Sequence, residues 1–182
     1  MYLLPWTYPL YGYFPWNLPV VIGFCALAVF AACYDAMSFR VPNWLTGTIA
    51  ALFVPVALAA PMTVDWFGHL GAGALVLTGG ALLFAVRVIG GGDVKLAAAL
   101  ALWVGYDALP GFVVTFALIG GALTITLLVA RTILGFAAMI PQVAGFGMPR
   151  LFMTGQPVPY GVAISGGALV SVPLMPLLQA FV

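Results

Sequence analysis

Residues 87–100 read RVIGGGDVKLAAAL and place a carboxylate at the start of a strongly apolar stretch. Three consecutive glycines, Gly90, Gly91 and Gly92, lead into Asp93, and Lys95 follows two residues later. An ionisable group at the end of a hydrophobic helix is costly in a membrane, so its presence predicts a functional site. The glycines would let another extended backbone come close to the aspartate without side-chain obstruction.

The composition indicates an integral membrane protein. Of the 182 residues, 65% are hydrophobic and 5% are charged, whereas a soluble domain carries roughly 25% charged residues. Backbone groups in lipid must form hydrogen bonds internally, which predicts an all-α polytopic protein with the lipid bilayer as its surroundings. The net charge of +1 gives no reason to expect nucleic acid as a partner.

Six apolar stretches predict about six transmembrane helices in one domain, residues 1–182. A bilayer is crossed by about 20 apolar residues, and the fourth stretch is the weakest, because Gly105 and Asp107 interrupt it and Pro110 follows. Glycine-rich faces such as GHLGAGALVLTGG and LIGGAL predict close approach of neighbouring helices. The predicted helices cover residues 18–36, 44–60, 67–88, 94–108, 112–130 and 160–181.

The positive-inside rule gives this arrangement an orientation. With the N-terminus outside, every lysine and arginine falls on the cytoplasmic side of the inner membrane, and Asp65 and Asp107 fall in outer loops as solvated residues. The five cationic residues are Arg40, Arg87, Lys95, Arg131 and Arg150.

Three other segments carry weaker signals. The proline-broken, aromatic N-terminus predicts an interfacial segment. Residues 131–157 contain too much proline and glycine to cross, which leaves an interfacial piece and an ordinary loop as alternatives. Cys25 and Cys33 are eight residues apart, so they predict buried, unreactive thiols rather than a metal site, and no metal or cofactor is expected.

Asp35 and Asp93 remain as the candidate catalytic pair. Asp35 lies near the inner end of the first helix and Asp93 opens the fourth, so both are expected at the cytoplasmic boundary. Asp93 as a helix N-cap, and ion pairs of Asp35 with Arg40 or of Asp93 with Lys95, are structural alternatives. A functional alternative is a proton or cation relay in a small transporter, although relay carboxylates usually lie nearer the middle of the membrane.

Two carboxyl groups a few ångströms apart share one proton, and together they make an acid and a base. The ionised group can deprotonate a water molecule while the protonated group polarises an amide carbonyl. Such a pair titrates as a unit, so neither residue is assigned a permanent role.

Three motifs resemble those of the type IV prepilin peptidases. YDAMSFRVPNWLTG is similar to their first aspartate motif, GGGDVKLAAALALWVG to their GxGD motif, and PVPYGVAISGGAL to the segment that opens their last helix. The motifs occur in the family's order and span most of the chain. The contexts RVPN and PVPYG favour this family over presenilin-like GxGD proteases, while archaeal preflagellin peptidases stay an alternative.

The resemblance implies a membrane aspartic endopeptidase with Asp35 and Asp93 as its catalytic residues. Its substrates would be prepilins or pseudopilins, whose short basic leader is removed after a glycine at the cytoplasmic face, with pilus-assembly machinery as a further expected partner. The chain lacks the insert with paired CxxC motifs that larger members carry. It is similar to the short forms of tight-adherence (Flp) pili, so N-methylation, S-adenosylmethionine and zinc are not expected.

Other residues are supporting candidates. Lys95 is expected either to meet the substrate or to extend to the lipid headgroups. Asn43, after Pro42, is expected to cap the second helix or to contact substrate. Tyr160 and Gly161 border the site by resemblance, whereas His69 is expected to be a hydrogen-bonded packing residue far from both aspartates.

Overall fold

The structure, a computed structural model, describes residues 17–137, 149–153 and 155–179 and is all-α over that part of the chain. The predicted interfacial N-terminus lies almost entirely outside the described residues, as do residues 138–148 and 154 of the predicted interfacial segment. The elements are α1 (Asn17–Ser38), α2 (Asn43–Ala59), α3 (Trp66–Ala85), α4 (Gly91–Ala137), a 3-10 turn (Arg150–Phe152), α5 (Tyr160–Ser171), a second 3-10 turn (Val172–Leu174) and α6 (Pro176–Gln179).

Three of these helices are long and apolar enough to cross a membrane, which confirms the prediction of an all-α membrane protein. They are Leu18–Ser38, Trp66–Ala85 and Gly91–Phe136. Two shorter apolar helices, Asn43–Ala59 and Tyr160–Leu174, accompany them. The count of six spans stays a prediction.

The last predicted helix, residues 160–181, ends earlier than expected. α5 stops at Ser171 and is followed by a 3-10 turn and the short α6. Pro173 and Pro176 explain the break, because proline lacks the N–H that the next helical hydrogen bond needs and its ring clashes with the preceding turn. Residues 180–181 lie outside the described part.

α4 consists of two helical segments on either side of a sharp kink at Gly105, where φ is 76° and ψ is 170°. Val113 and Phe116 of the second segment line the same cavity as Val94 of the first, so the second segment runs back along the first. The break between the fourth and fifth predicted helices is therefore present, but it lies at Gly105 rather than at residues 109–111. Pro110 is accommodated in the first turns of the second segment, close to a helix start, where proline is best tolerated.

α4 is the central element, and α2, α3 and α5 all pack on it, while α5 also packs on α1. Close approach depends on glycine, as predicted: a Cβ at Gly80 would lie 2.7 Å from Val94 Cγ1, and one at Gly167 would lie 2.6 Å from Phe116 Cβ. An aromatic cluster fills the core around Trp103, whose indole N–H donates to the Ile49 carbonyl at 2.8 Å.

His69 stabilises the kink in α4. Its Nδ1 lies 2.8 Å from the carbonyl oxygen of Leu102, one turn before the break. A carbonyl only accepts, so Nδ1 carries the proton and satisfies a group that the interrupted helix leaves without its usual partner. His69 is buried, with 3% of its surface exposed, and this packing role matches the one expected from sequence.

The kink requires glycine at position 105. Its backbone angles fall in a region that only glycine adopts without strain, and a Cβ there would lie 3.0 Å from His69 Cε1. Gly105→Ala is expected to lower the free energy of unfolding by about 1–3 kcal/mol, measured by denaturation in detergent micelles.

Gly121→Ala is the matched control, because Gly121 is helical, lies in the same element and has open space around its Cβ position. Its stability should stay the same or rise by up to about 1 kcal/mol, since alanine favours the helix. Equal destabilisation by both substitutions would contradict the assigned role of Gly105.

Candidate active site

Asp35 is held in place by the N-terminus of α5. It lies in the last turn of α1 with 3% of its surface exposed, and its Oδ2 accepts a hydrogen bond of 2.7 Å from the Gly161 N–H. α1 ends at Ser38, three residues after Asp35, because Phe39 takes a left-handed φ of 53°. The Phe39 N–H donates a 2.7 Å hydrogen bond to the Asp35 carbonyl. The carboxylate is therefore the contact between two helices rather than a partner of Arg40.

Position 161 can only be glycine in this arrangement. A Cβ at Gly161 would lie 2.8 Å from both Cβ and Oδ2 of Asp35. Contacts this short force one of the two groups to move. The resemblance of this segment to a family motif drew attention to Gly161, and the structure gives the residue a physical role beside Asp35.

Asp93 lies in the first turn of α4 and is half-buried. The helix begins two residues earlier, at Gly91, so the alternative in which Asp93 caps the helix is wrong. Its carboxylate turns back towards Gly90, where a Cβ would lie 2.9 Å from Oδ2. Gly92 packs against the segment after α1, with its Cβ position 3.3 Å from the Val41 carbonyl oxygen.

The fold brings the two aspartates to the same end of the bundle: Asp35 is bonded to Gly161 of α5, and Asp93 lines a cavity with Ile164, three residues further along that helix. Asp93 precedes the kink at Gly105 by 12 residues (105 − 93), or about 18 Å of helix. Asp65 and Asp107 are exposed and line a pocket with Gly105 at the opposite end. The four aspartates thus divide into one close pair and two distant residues.

An apolar cavity of about 180 Å³ adjoins Asp93. Among the described residues that line it, Asp93 is the ionisable one. The others come from α3, the loop before α4, both segments of α4 and α5. The neighbouring residues include Gly79, Ile89 and Ile164. A carboxylate at the edge of an apolar cavity can meet the backbone of a chain whose side chain enters that cavity.

Two predicted supporting residues form a link of their own. Lys95 donates a 2.8 Å hydrogen bond to Oδ1 of Asn43, which joins the start of α4 to the start of α2. Pro42 occupies the N-cap of α2 and makes no side-chain cap hydrogen bond, so the expectation that Asn43 caps this helix is wrong. Asn43 is the first helical residue and accepts a hydrogen bond from Lys95 instead. The main contact of Lys95 is therefore Asn43 and not Asp93.

Tyr160 is the first residue of α5 and packs against the second segment of α4. Its ring packs on Gly120, whose Cβ position is 3.1 Å from Tyr160 Cε1, and its hydroxyl lies 3.4 Å from Thr124 Oγ1. The residue is exposed. It borders the site, whereas its neighbour Gly161 contacts Asp35 directly.

Arg131 has a role that the sequence analysis missed. Its guanidinium donates four hydrogen bonds, of 2.8–3.1 Å, to the carbonyls of Leu151, Gln156 and Pro157. These bonds fix the segment that leads into α5, and hence into Gly161. Backbone carbonyls occur at every residue, so no sequence pattern indicates such a contact.

The described residues contain no cluster of three or more histidine, cysteine or acidic side chains that could hold a metal. Both cysteines are free; Cys25 is half-buried and Cys33 is exposed. The expectation that both thiols are buried is therefore wrong for Cys33, because this side of α1 faces away from the core.

The fold defines a helical membrane protein in which Asp35 of α1 and Asp93 of α4 lie at the same end of the bundle. Residues 22–125 match the model of the type IV leader peptidase family, and the chain belongs to that family. The matched region includes both aspartates and ends before Arg131 and α5. No curated protein and no solved structure matches the chain.

Gly161→Ala is expected to reduce leader-peptide cleavage about 100-fold under the role proposed for Asp35 below. The added methyl group would displace the Asp35 carboxylate, and a displacement of about 1 Å at a reacting group has an effect of this size. The measurement is the rate of leader removal in detergent or proteoliposomes. Gly23→Ala is the control, since Gly23 lies on the exposed side of α1 with open space around it. Full activity of Gly161→Ala would show that Asp35 does not depend on this contact.

Arg131→Lys is expected to lower the catalytic rate while the substrate KM changes little. Lysine keeps the charge but cannot reproduce the planar, multiply donating guanidinium. Steady-state kinetics on a leader-bearing substrate test this, with Arg150→Lys as the control for a nearby cation. If both variants behave as the wild-type protein does, the segment before α5 is held by other contacts.

Proposed function

We propose that the protein is an aspartic endopeptidase that removes the basic leader of prepilins or pseudopilins at the cytoplasmic face of the inner membrane. The main support is that Asp35 and Asp93 both lie beside the first turns of α5, at one end of the bundle, inside the region that matches the leader peptidase family. Two carboxyl groups that share one proton can supply both the acid and the base that amide hydrolysis needs, without a metal ion.

In the proposed reaction the pair shares one proton. The ionised carboxylate takes a proton from water, and the water oxygen attacks the carbonyl carbon of the scissile amide. The protonated carboxyl donates a hydrogen bond to the carbonyl oxygen, where negative charge develops. The C–N bond then breaks, and the leaving nitrogen receives a proton from the pair, which returns to its starting protonation state.

The surroundings of the two aspartates support a division between a fixed and an approachable group. Asp35 is buried and bonded to the Gly161 amide. Asp93 follows Gly90, Gly91 and Gly92, which present no side chains to an incoming substrate backbone. The scissile amide would therefore enter from the side of the glycines and meet Asp93 before Asp35.

The cavity beside Asp93 supports a substrate that is apolar next to the cleaved bond. Its volume of about 180 Å³ and its lining of aliphatic and aromatic side chains suit one large apolar side chain. A leader cleaved after a glycine, before a hydrophobic helix, would present such a side chain on the product side of the bond.

The proposed orientation places this end of the bundle in the cytoplasm, with the N-terminus outside and all of residues 1–182 in one membrane domain. The lysine and arginine residues that flank the aspartates support it. The chain does not offer the paired CxxC motifs of larger family members, so we propose leader cleavage without methylation of the new N-terminus. Pilus-assembly proteins would act on the product.

The aspartates can be tested by neutral substitutions of nearly equal shape. Asp35→Asn and Asp93→Asn are each expected to lower the rate of leader cleavage by about 100- to 10,000-fold, the range that general acid–base catalysis supplies. Each variant would be co-expressed with a prepilin whose basic leader ends in glycine, and the new N-terminus would be identified by mass spectrometry.

Asp65→Asn and Asp107→Asn are the matched controls, because they change the same side chain at the opposite end of the bundle. They are expected to cleave at the wild-type rate. If Asp35→Asn and Asp93→Asn both cleave at the wild-type rate, the proposal is wrong. If only a control substitution abolishes leader cleavage, the catalytic pair has been assigned to the wrong residues.

A further inference from the structure

A groove separate from the aspartates runs along the outside of the bundle. It lies between α2 and α3, with the first segment of α4 as its floor, and its volume is about 410 Å³. Small residues from all three helices make it deep, namely Gly47, Ala50, Gly73, Ala74, Ala98 and Ala99.

One end of the groove is polar and offers hydrogen-bond donors. Among the described residues that line the groove, Lys95 is the charged one. One of the three N–H donors of Lys95 is used by Asn43 Oδ1. Because this oxygen accepts, the other half of the Asn43 amide is an NH₂ group with two donors. The positive end of the α2 dipole adds to the same region. A cation and an amide donor side by side can bind an anionic acceptor such as a phosphate.

The polar end lies at a level suited to lipid headgroups. Trp44, directly after Asn43, has 58% of its surface exposed, and exposed tryptophan is typical of the membrane–water interface. Lys95 is two residues from Asp93, or about 3 Å along the helix axis. The donors therefore belong to the end of the bundle that carries the aspartates.

The residues along the groove favour an acyl chain as its occupant. From Lys95 to Leu102 the groove extends seven residues (102 − 95) along α4, or about 10 Å. Beyond Asn43, Thr46 and Lys95, the lining residues are glycine, alanine and leucine. Such a lining is as apolar as the hydrocarbon of a lipid tail.

We propose that this groove binds an anionic phospholipid, with the phosphate on Lys95 and Asn43 and acyl chain along the small residues towards Leu102. The bound lipid stabilises the contact between the start of α2 and the start of α4. The proposal concerns binding and stability, so it does not depend on the proposed peptidase activity.

The test titrates purified full-length protein in detergent with phosphatidylglycerol, and with phosphatidylcholine as the lipid without net charge. Native mass spectrometry counts bound lipid, and thermal unfolding measures stabilisation. The wild-type protein is expected to bind phosphatidylglycerol saturably and to gain stability, and Lys95→Gln to weaken that binding about five-fold, the effect of one cation near an anionic lipid. Arg40→Gln, which removes an exposed charge outside the groove, should bind as the wild-type protein does.

Gly47→Leu tests the apolar part independently. Gly47 has open space around its Cβ position and lines the groove, so leucine there should fill the groove and reduce binding without a clash. Gly71→Leu is its control, since Gly71 is also unobstructed but lies outside the lining. Any of four results would overturn the proposal. The first two are equal binding of both lipids and equal losses of binding in Lys95→Gln and Arg40→Gln. The other two are undiminished lipid binding by Gly47→Leu and equal stabilisation of the protein by inorganic phosphate alone.

Discussion

The hydrogen bond from the Gly161 amide to the Asp35 carboxylate is the contact on which the geometry of the site depends. It joins residues 126 positions apart and connects the end of α1 to the beginning of α5. The first amides of a helix have no partner within the helix, and a buried carboxylate needs donors. Each group therefore meets the other's requirement, in surroundings where an unmade hydrogen bond would be unfavourable.

The geometry of this site depends on several glycines that let backbone segments approach each other closely. Gly161 lets α5 reach Asp35, Gly92 lets the start of α4 reach Val41, and Gly80 lets α3 reach Val94. A hydrophobic driving force between helices is weak in lipid, so small residues that bring backbones together carry much of the packing. The residue type that leaves Asp93 without bulky neighbours on its N-terminal side also lets the surrounding helices pack closely.

The sequence was informative where physical chemistry acts locally. Apolar runs predicted the helices, and glycine-rich faces predicted close contacts such as that of Gly80 with Val94. The rarity of carboxylates singled out Asp35 and Asp93, whose catalytic role stays a prediction. It was uninformative where a side chain selects a distant backbone group, as Arg131 does with the carbonyls before α5. The Lys95–Asn43 bond was missed for a related reason: each residue had a plausible local role, as an interfacial cation and a helix cap, and only the packing of α2 against α4 brings them together.

The start of α4 is held from two sides despite its three glycines. Gly92 contacts Val41 in the segment between α1 and α2, and Lys95 is bonded to Asn43, the first residue of α2, so these contacts hold the start of α4, and with it Asp93, against this region. Asp35 lies four residues before that segment begins at Phe39 and is fixed in turn by α5. The distance between the carboxyl groups is therefore set through one short connection, residues 39–42, whose left-handed Phe39 ends α1. The glycines before Asp93 thus leave the carboxylate open to approach while the backbone around it stays packed, because glycine removes side chains without removing backbone contacts.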